Sequence, residues 1–394
     1  MACIPFFGVA CSRSEKPSGN EFLIEGRISG IEDGVVINLF RWDGDAGDKI
    51  TSDTVKNGRF IFKEETKADL ERLTIDSWGE GFPNSSLHVW VAPRAKIKIN
   101  GKGKLYPVWK VKSSLPYQKE ENRYKNNSRN IIAESVRLSV ESDDLRSKAS
   151  EAKSEDEALA YRKAADSLGI IRKSLRMKEL HADMGIMEKM NISPVWLNKM
   201  RGVTQMLKYG NLNIEDDGDL RKKAETLYVR MSEEDKSTPL GYLITSQLFP
   251  PFVVGIGNDM ADADFFDMDG NTKHISDYLG KYLLLDFWSS GCGPCIMAFP
   301  EMKEVSETYS ENLTIISISL DTDTRWKESM SAHDMPWVNI RDPKVMGGLI
   351  ASYGARGIPY YVVISPEGKV IDQWFGYGNG FIKRKLSENL PSNK

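Results

Sequence analysis

The stretch Tyr282-Leu-Leu-Leu-Asp286-Phe-Trp-Ser-Ser-Gly-Cys292-Gly-Pro-Cys295 decides how this chain is read. It begins as an apolar run of strand length, interrupted by a single carboxylate. Small residues, Ser289-Ser290-Gly291, then lead to two cysteines with Gly293-Pro294 between them. Proline suits the first turn of a helix, where its missing N–H leaves no bond unmade. The expectation is a buried strand feeding a helix that opens at Cys292.

That placement has chemical consequences. The thiolate, not the thiol, attacks a disulfide. At a helix start, unpaired N–H groups and the positive end of the dipole stabilise an anion. Cys292 is therefore the expected nucleophile. Cys295 lies one turn along, placed to resolve a mixed disulfide formed on Cys292. Asp286 within an apolar strand is costly unless it has a partner or a task. Burial would raise its pKa, which suits a base taking the proton from Cys295.

A zinc site shares the Cys-x-x-Cys spacing but needs two further ligands. The remaining cysteines are Cys3 and Cys11, and His88, His181, His274 and His333 are scattered, so no metal and no cofactor is expected. A peroxidatic cysteine would want Thr and Pro shortly before it, which Ser289-Ser290-Gly291 does not supply.

Around this centre, residues 253–394 alternate strand and helix as an α/β sheet does. Phe265 to Ile275 reads as a hairpin turning at Asp269-Gly270, Leu313 to Leu320 as a strand, and Tyr360 to Ser365 with Lys369 to Ile371 as another hairpin. Pro300 falls inside the helix that follows the cysteines. Gly357-Ile358-Pro359 precedes a strand, where a cis Ile358–Pro359 bond would fit and would leave the Ile358 backbone to pair with an extended peptide.

Asp286-Phe-Trp-Ser-Ser-Gly-Cys-Gly-Pro-Cys295, Pro300 and Gly354-Ala-Arg-Gly-Ile-Pro359 together resemble thioredoxin. Gly280-Lys-Tyr282, Ser319-Leu-Asp321 and Trp326 resemble its TlpA/ResA branch. The resemblance covers about residues 258–390. It implies a thiol–disulfide oxidoreductase whose redox pair, Cys292 and Cys295, faces cis-Pro359 above Asp286. Trp288, Gly293, Pro294, Ile358 and Pro359 would touch substrate. The implied partners are disulfide-bearing proteins and an upstream dithiol reductant. Two departures stand out: Gly291 sits where relatives carry Trp, and Ala298 replaces a Glu frequent in the ResA branch. The competing class is a non-catalytic envelope binding protein that uses the fold as a scaffold.

The front of the chain has another character. Phe22–Ile28, Val35–Phe40, Gly58–Phe62, His88–Val91 and Ala95–Asn100 are short β-rich runs separated by turn dipeptides such as Asp33-Gly34 and Asn57-Gly58. An antiparallel sandwich or small barrel is expected over 20–112. From 113 to 250 the period becomes helical, with Val195, Trp196, Met200, Val203 and Leu207 at helix spacing. Residues 139–167 read as a long exposed helix or helical hairpin, and Met184, Met187, Met190 and Met200 as core fillers. The break falls at Phe249-Pro250-Pro251. The fold expected is multidomain: a C-terminal thioredoxin-like domain (253–394), a β-rich domain (20–112) and a helical segment (113–250).

Residues 1–19 resemble the tail of a lipoprotein signal, with Val9-Ala10 before Cys11 as the lipidated residue and a polar stretch after it. This implies a cell-envelope, periplasmic setting and attachment to a membrane surface without spanning it. No apolar run reaches the length of a bilayer span. In 394 residues the net charge is only -3, which argues against a nucleic-acid binder.

Overall fold

The computed structural model describes residues 16–43, 46–212 and 214–391, without the side chains of 43, 46 and 214–217. The residues before 16, Cys11 among them, lie outside that range. The chain divides into two compact units: residues 1–41 with 49–179, and residues 42–48 with 180–394.

In the first region, eight strands run in order: β1 (Glu21–Ser29), β2 (Val36–Asp43), β3 (Ala46–Thr54), β4 (Arg59–Glu65), β5 (Glu71–Asp76), β6 (Leu87–Val91), β7 (Lys96–Lys102) and β8 (Lys110–Lys112). They form two sheets, ordered β4-β1-β7-β8 and β3-β2-β5-β6. Alternation along β4 and β7 sends Phe60, Phe62, Ile97 and Ile99 inward against Ile37, Leu39, Leu73 and Ile75 of the other sheet. This is a sandwich, but not a purely antiparallel one, because β1 pairs parallel with β7. That pairing joins runs some seventy residues apart, so local patterning carries no sign of it.

Helices follow: α1 (Pro116–Asn127), α2 (Arg129–Glu151), α3 (Glu155–Met187), α4 (Pro194–Tyr209), α5 (Ile214–Tyr228), α6 (Glu233–Lys236) and α7 (Pro239–Leu248). The charged stretch expected as a helix or hairpin is the pair α2 and α3. The boundary between the units falls inside α3. Proline opens α4 and α7, and the side chains of Ser193 and Thr238 accept the Trp196 and Gly241 N–H groups in the first turn of each. Met184, Met187 and Met200 are buried as core residues.

The second unit carries β9 (Phe265–Phe266), β10 (Thr272–Lys273), β11 (Tyr282–Trp288), α8 (Gly293–Thr308), β12 (Leu313–Ser319), α9 (Asp323–Ala332), β13 (Val338–Arg341), α10 (Leu349–Ser352), β14 (Tyr360–Ile364), β15 (Val370–Phe375) and α11 (Phe381–Asn389). Its sheet is ordered β10-β9-β13-β12-β11-β14-β15, with β11 parallel to β12 and antiparallel to β14. This is a thioredoxin fold. Alternation along β11 sends Leu283, Leu285 and Phe287 to one apolar cluster. Leu284 and Trp288 face the opposite cluster, which also holds Cys295, Ala298 and Met302 of α8. Asp286 therefore shares the face of the sheet that α8 covers. Among the described residues no helix is long and apolar enough to cross a membrane.

Helix α8 is also tied down at its far side. Glu301, 5% exposed, accepts the Gly380 and Lys383 N–H groups at 2.9 Å each, closing the start of α11. Replacing it by Ala strands two donors of a kind that cost about 1–3 kcal/mol when left unmet. Glu301→Ala should therefore lower the unfolding free energy of the C-terminal domain by that order, read as a lower urea midpoint, and Glu301→Gln should recover part of it. Equal midpoints for wild type and Glu301→Ala would remove this anchoring role.

Candidate redox site

The turn after β11 is held from two sides. The Ser290 N–H donates to Asp321 Oδ2 at 2.7 Å, and Arg325 Nε donates to Ser290 Oγ at 2.9 Å. Cys292 then caps α8, and the Cys295 N–H donates to Cys292 Sγ at 3.2 Å. The two sulfurs are joined in a disulfide, with Cα atoms 5.2 Å apart. Cys292 is half-buried and Gly293 and Pro294 are exposed, whereas Cys295 is 1% exposed. One sulfur can be reached from outside and the other cannot. The helix continues through Pro300 to Thr308.

On the sheet face that α8 covers, Asp286 is 1% exposed. Ser317 Oγ donates to its Oδ2 at 2.7 Å, and Trp337 Nε1 donates to Ser317 Oγ at 2.8 Å. Desolvation pushes the carboxyl up to about 7, and the Ser317 hydrogen bond holds it from rising further. Register explains the neighbours: Asp286 lies opposite Ser317 on β12 and Tyr361 on β14, and Tyr361 lies opposite Trp374 on β15. Tyr361 stacks on Trp374 at 5.1 Å, and its buried hydroxyl has no hydrogen-bond partner among the described residues. Burial, then the charge of Asp286, raises the Tyr361 pKa, so the phenol is neutral.

The Ile358–Pro359 peptide is cis. Ile358 and Cys292 both pack against the apolar cluster that holds Cys295. The Pro359 carbonyl accepts the Gly376 N–H at 2.9 Å, while the Ile358 backbone makes no hydrogen bond among the described residues. Met297 on α8 and Phe375 on β15 are exposed apolar side chains, and the Phe375 ring lies against Gly357 of that loop.

Cys292 and Cys295 thus sit at the start of α8, and Asp286 lies on the sheet face that this helix covers. Trp288 departs from the expectation: at 0% exposure, edge-on to Phe299 at 5.2 Å, it is core and has no surface for a substrate. Ser317, Trp337 and Arg325 were not foreseen as contributors. Ser317 was legible in principle, since a hydroxyl in an apolar strand beside one carrying a carboxylate marks a partner. Trp337 and Arg325 reach the site only through the fold. Among the described residues no cluster of His, Cys, Asp or Glu could hold a metal.

Residues 256–373 match the model of the AhpC/TSA family. A thiol-disulfide oxidoreductase ResA of Bacillus thuringiensis is 30% identical over 137 residues, which span 34% of this chain and 76% of that protein. The chain belongs to the ResA-like thiol–disulfide oxidoreductases of the thioredoxin family. A thioredoxin of Chlorobaculum thiosulfatiphilum is 29% identical over 28% of the chain and 81% of its own length. A solved thiol:disulfide interchange protein from Bacteroides sp. is 22% identical over 36% of the chain and 94% of its own, with a TM-score of 0.33. For an oxidoreductase of this family, a buried carboxyl near neutrality is a feature with measurable consequences.

Asp286 binds its proton more tightly in the folded state than in the unfolded one. Its contribution to stability is complete below about pH 4 and is lost as pH rises through about 7. Asp286→Asn should therefore gain stability over wild type on going from pH 5 to pH 8, by a few kcal/mol at most. Thermal unfolding at the two pH values reads this difference; a gap independent of pH would contradict the raised pKa.

Proposed function

We propose that this oxidoreductase reduces disulfides of envelope proteins by dithiol exchange at Cys292 and Cys295. The observation that carries this reading is the asymmetry of the pair: an accessible sulfur that receives a helix N–H, and a buried one on the sheet face that bears Asp286.

An upstream dithiol first reduces the pair to two thiols. The Cys292 thiolate attacks one sulfur of the substrate disulfide, forming a mixed disulfide and expelling the first substrate thiolate. Asp286 takes the proton of the Cys295 thiol. The Cys295 thiolate then attacks Cys292 Sγ, forming the internal disulfide and releasing the second substrate thiolate. Two electrons pass from the pair to the substrate. The released thiolates acquire protons from water and, at the buried site, from Asp286. In this reading Gly293 and Pro294 flank the attacking sulfur, Ile358 packs against the same apolar cluster as Cys292, and the Ile358 amide and carbonyl, without hydrogen bonds among the described residues, suit pairing with an extended polypeptide. Lipidation at Cys11 would tether this chemistry to a membrane surface. Its support is the sequence Val9-Ala10-Cys11, whose placement is outside the described residues.

Cys292→Ser should abolish dithiol-driven reduction of insulin. Cys295→Ser should retain the first attack and accumulate a mixed disulfide visible by mass. Equal turnover in wild type and Cys292→Ser would end the catalytic reading. Ser317→Ala removes the hydrogen bond that favours the Asp286 anion, so the rise of turnover with pH should move to higher pH, by up to about one unit. An unchanged profile would exclude Asp286 as the base.

A further inference from the structure

Near the C-terminal end of α4 a cavity of about 360 Å³ is lined by Leu207, Lys208, Tyr209, Asn211, Leu212 and Arg356. Two like charges, Lys208 and Arg356, line one small space. Neither forms an ion pair among the described residues, and the Lys208 ammonium instead lies 5.5 Å from the Tyr209 ring centroid. Burial, then the nearby Arg356 charge, lowers the Lys208 pKa, so holding both cations there is unfavourable without an anion. The carbonyls at the end of α4 offer about half a negative charge, short of the two positive ones.

Through Arg356 the cavity is joined in sequence to the cis-proline loop. Arg356 lies in the loop that continues as Gly357 and the cis Ile358–Pro359 bond, two residues before Ile358. Two residues of extended chain reach about 7 Å. The geometry points to the Lys208–Arg356 cavity as a substrate subsite that binds an acidic side chain close in sequence to the reacting cysteine. This deepens the reductase reading and rests on it. The arginine offers a planar fork for a carboxylate and the lysine a second charge at its side. Such a subsite would select, among disulfide-bearing proteins, those whose cysteine stands in an acidic segment.

The test uses two disulfide-linked peptides, identical except for Glu or Gln at the positions flanking cysteine, reduced by the full chain with excess dithiol. The Glu peptide should have a kcat/KM roughly tenfold higher at low salt, and the gap should close at high salt. In Arg356→Gln and Lys208→Gln the preference should fall toward unity, and Arg356→Glu should turn it toward a Lys-flanked peptide. Equal rates for the Glu and Gln peptides in wild type, or a preference that survives both substitutions, would overturn the proposal. Binding of the same peptides with Ser in place of Cys, read by fluorescence anisotropy, is independent of turnover. Tighter binding of the Glu form, lost in both variants, supports the subsite even if neither disulfide is reduced, an outcome that would sink the reductase reading alone.

Discussion

A carboxylate held almost entirely out of water is the constraint around which the C-terminal domain is arranged. An isolated ionised carboxylate in such a place costs several kcal/mol even after relaxation. Among the described residues Asp286 has one side-chain hydrogen-bond donor, the Ser317 hydroxyl, and that donor is itself oriented by Trp337. The balance is a carboxyl pushed up to about 7 and no further. A second donor would favour a permanent anion, and none at all would favour a permanently protonated acid. Either extreme would leave nothing able to accept and release a proton near neutral pH.

The two cysteines divide the remaining work through the direction of α8. Cys292, at the cap, takes the field of the helix start and the N–H of Cys295, and it stays within reach of a partner. Cys295, a turn further in, is packed with Trp288 and Ala298, away from solvent. Under the proposed mechanism, the burial that denies Cys295 to other thiols also gives Asp286 its task.

How much of this could be read from the chain alone follows from what is local and what is not. The Tyr282–Trp288 run coincides with β11 because a continuous apolar stretch bounded by small residues has few other uses. The cysteine pair, Pro300 and the cis bond at Pro359 were legible for the same local reason. Strands β3, β5 and β8 were missed. β3 is an edge strand with a polar face, Ala46-Gly-Asp-Lys-Ile-Thr-Ser-Asp-Thr54, and β8 has three residues. Neither carries the apolar alternation that marks a half-buried strand. The parallel pairing of β1 with β7 and the approach of Trp337 to Ser317 depend on long-range register, which spacing along the chain does not encode. Trp288 was misread for the opposite reason: its place in the motif drew it toward the substrate, whereas strand alternation and position beside α8 put it in the core.

The residues that read least clearly are those that hold the site rigid. Asp321 and Arg325 grip the Ser289–Gly291 turn, and Glu301 joins α8 to α11; Arg325 and Glu301 look like ordinary surface charges in the sequence. A disulfide exchange needs three sulfurs brought nearly into line, so small displacements of the turn or of the helix axis are costly to rate. The substrate supplies the third sulfur, and only the protein's own two can be fixed in advance. Charged side chains capping backbone N–H groups suit that task, because they fix a turn or a helix end without occupying the face that a substrate must reach.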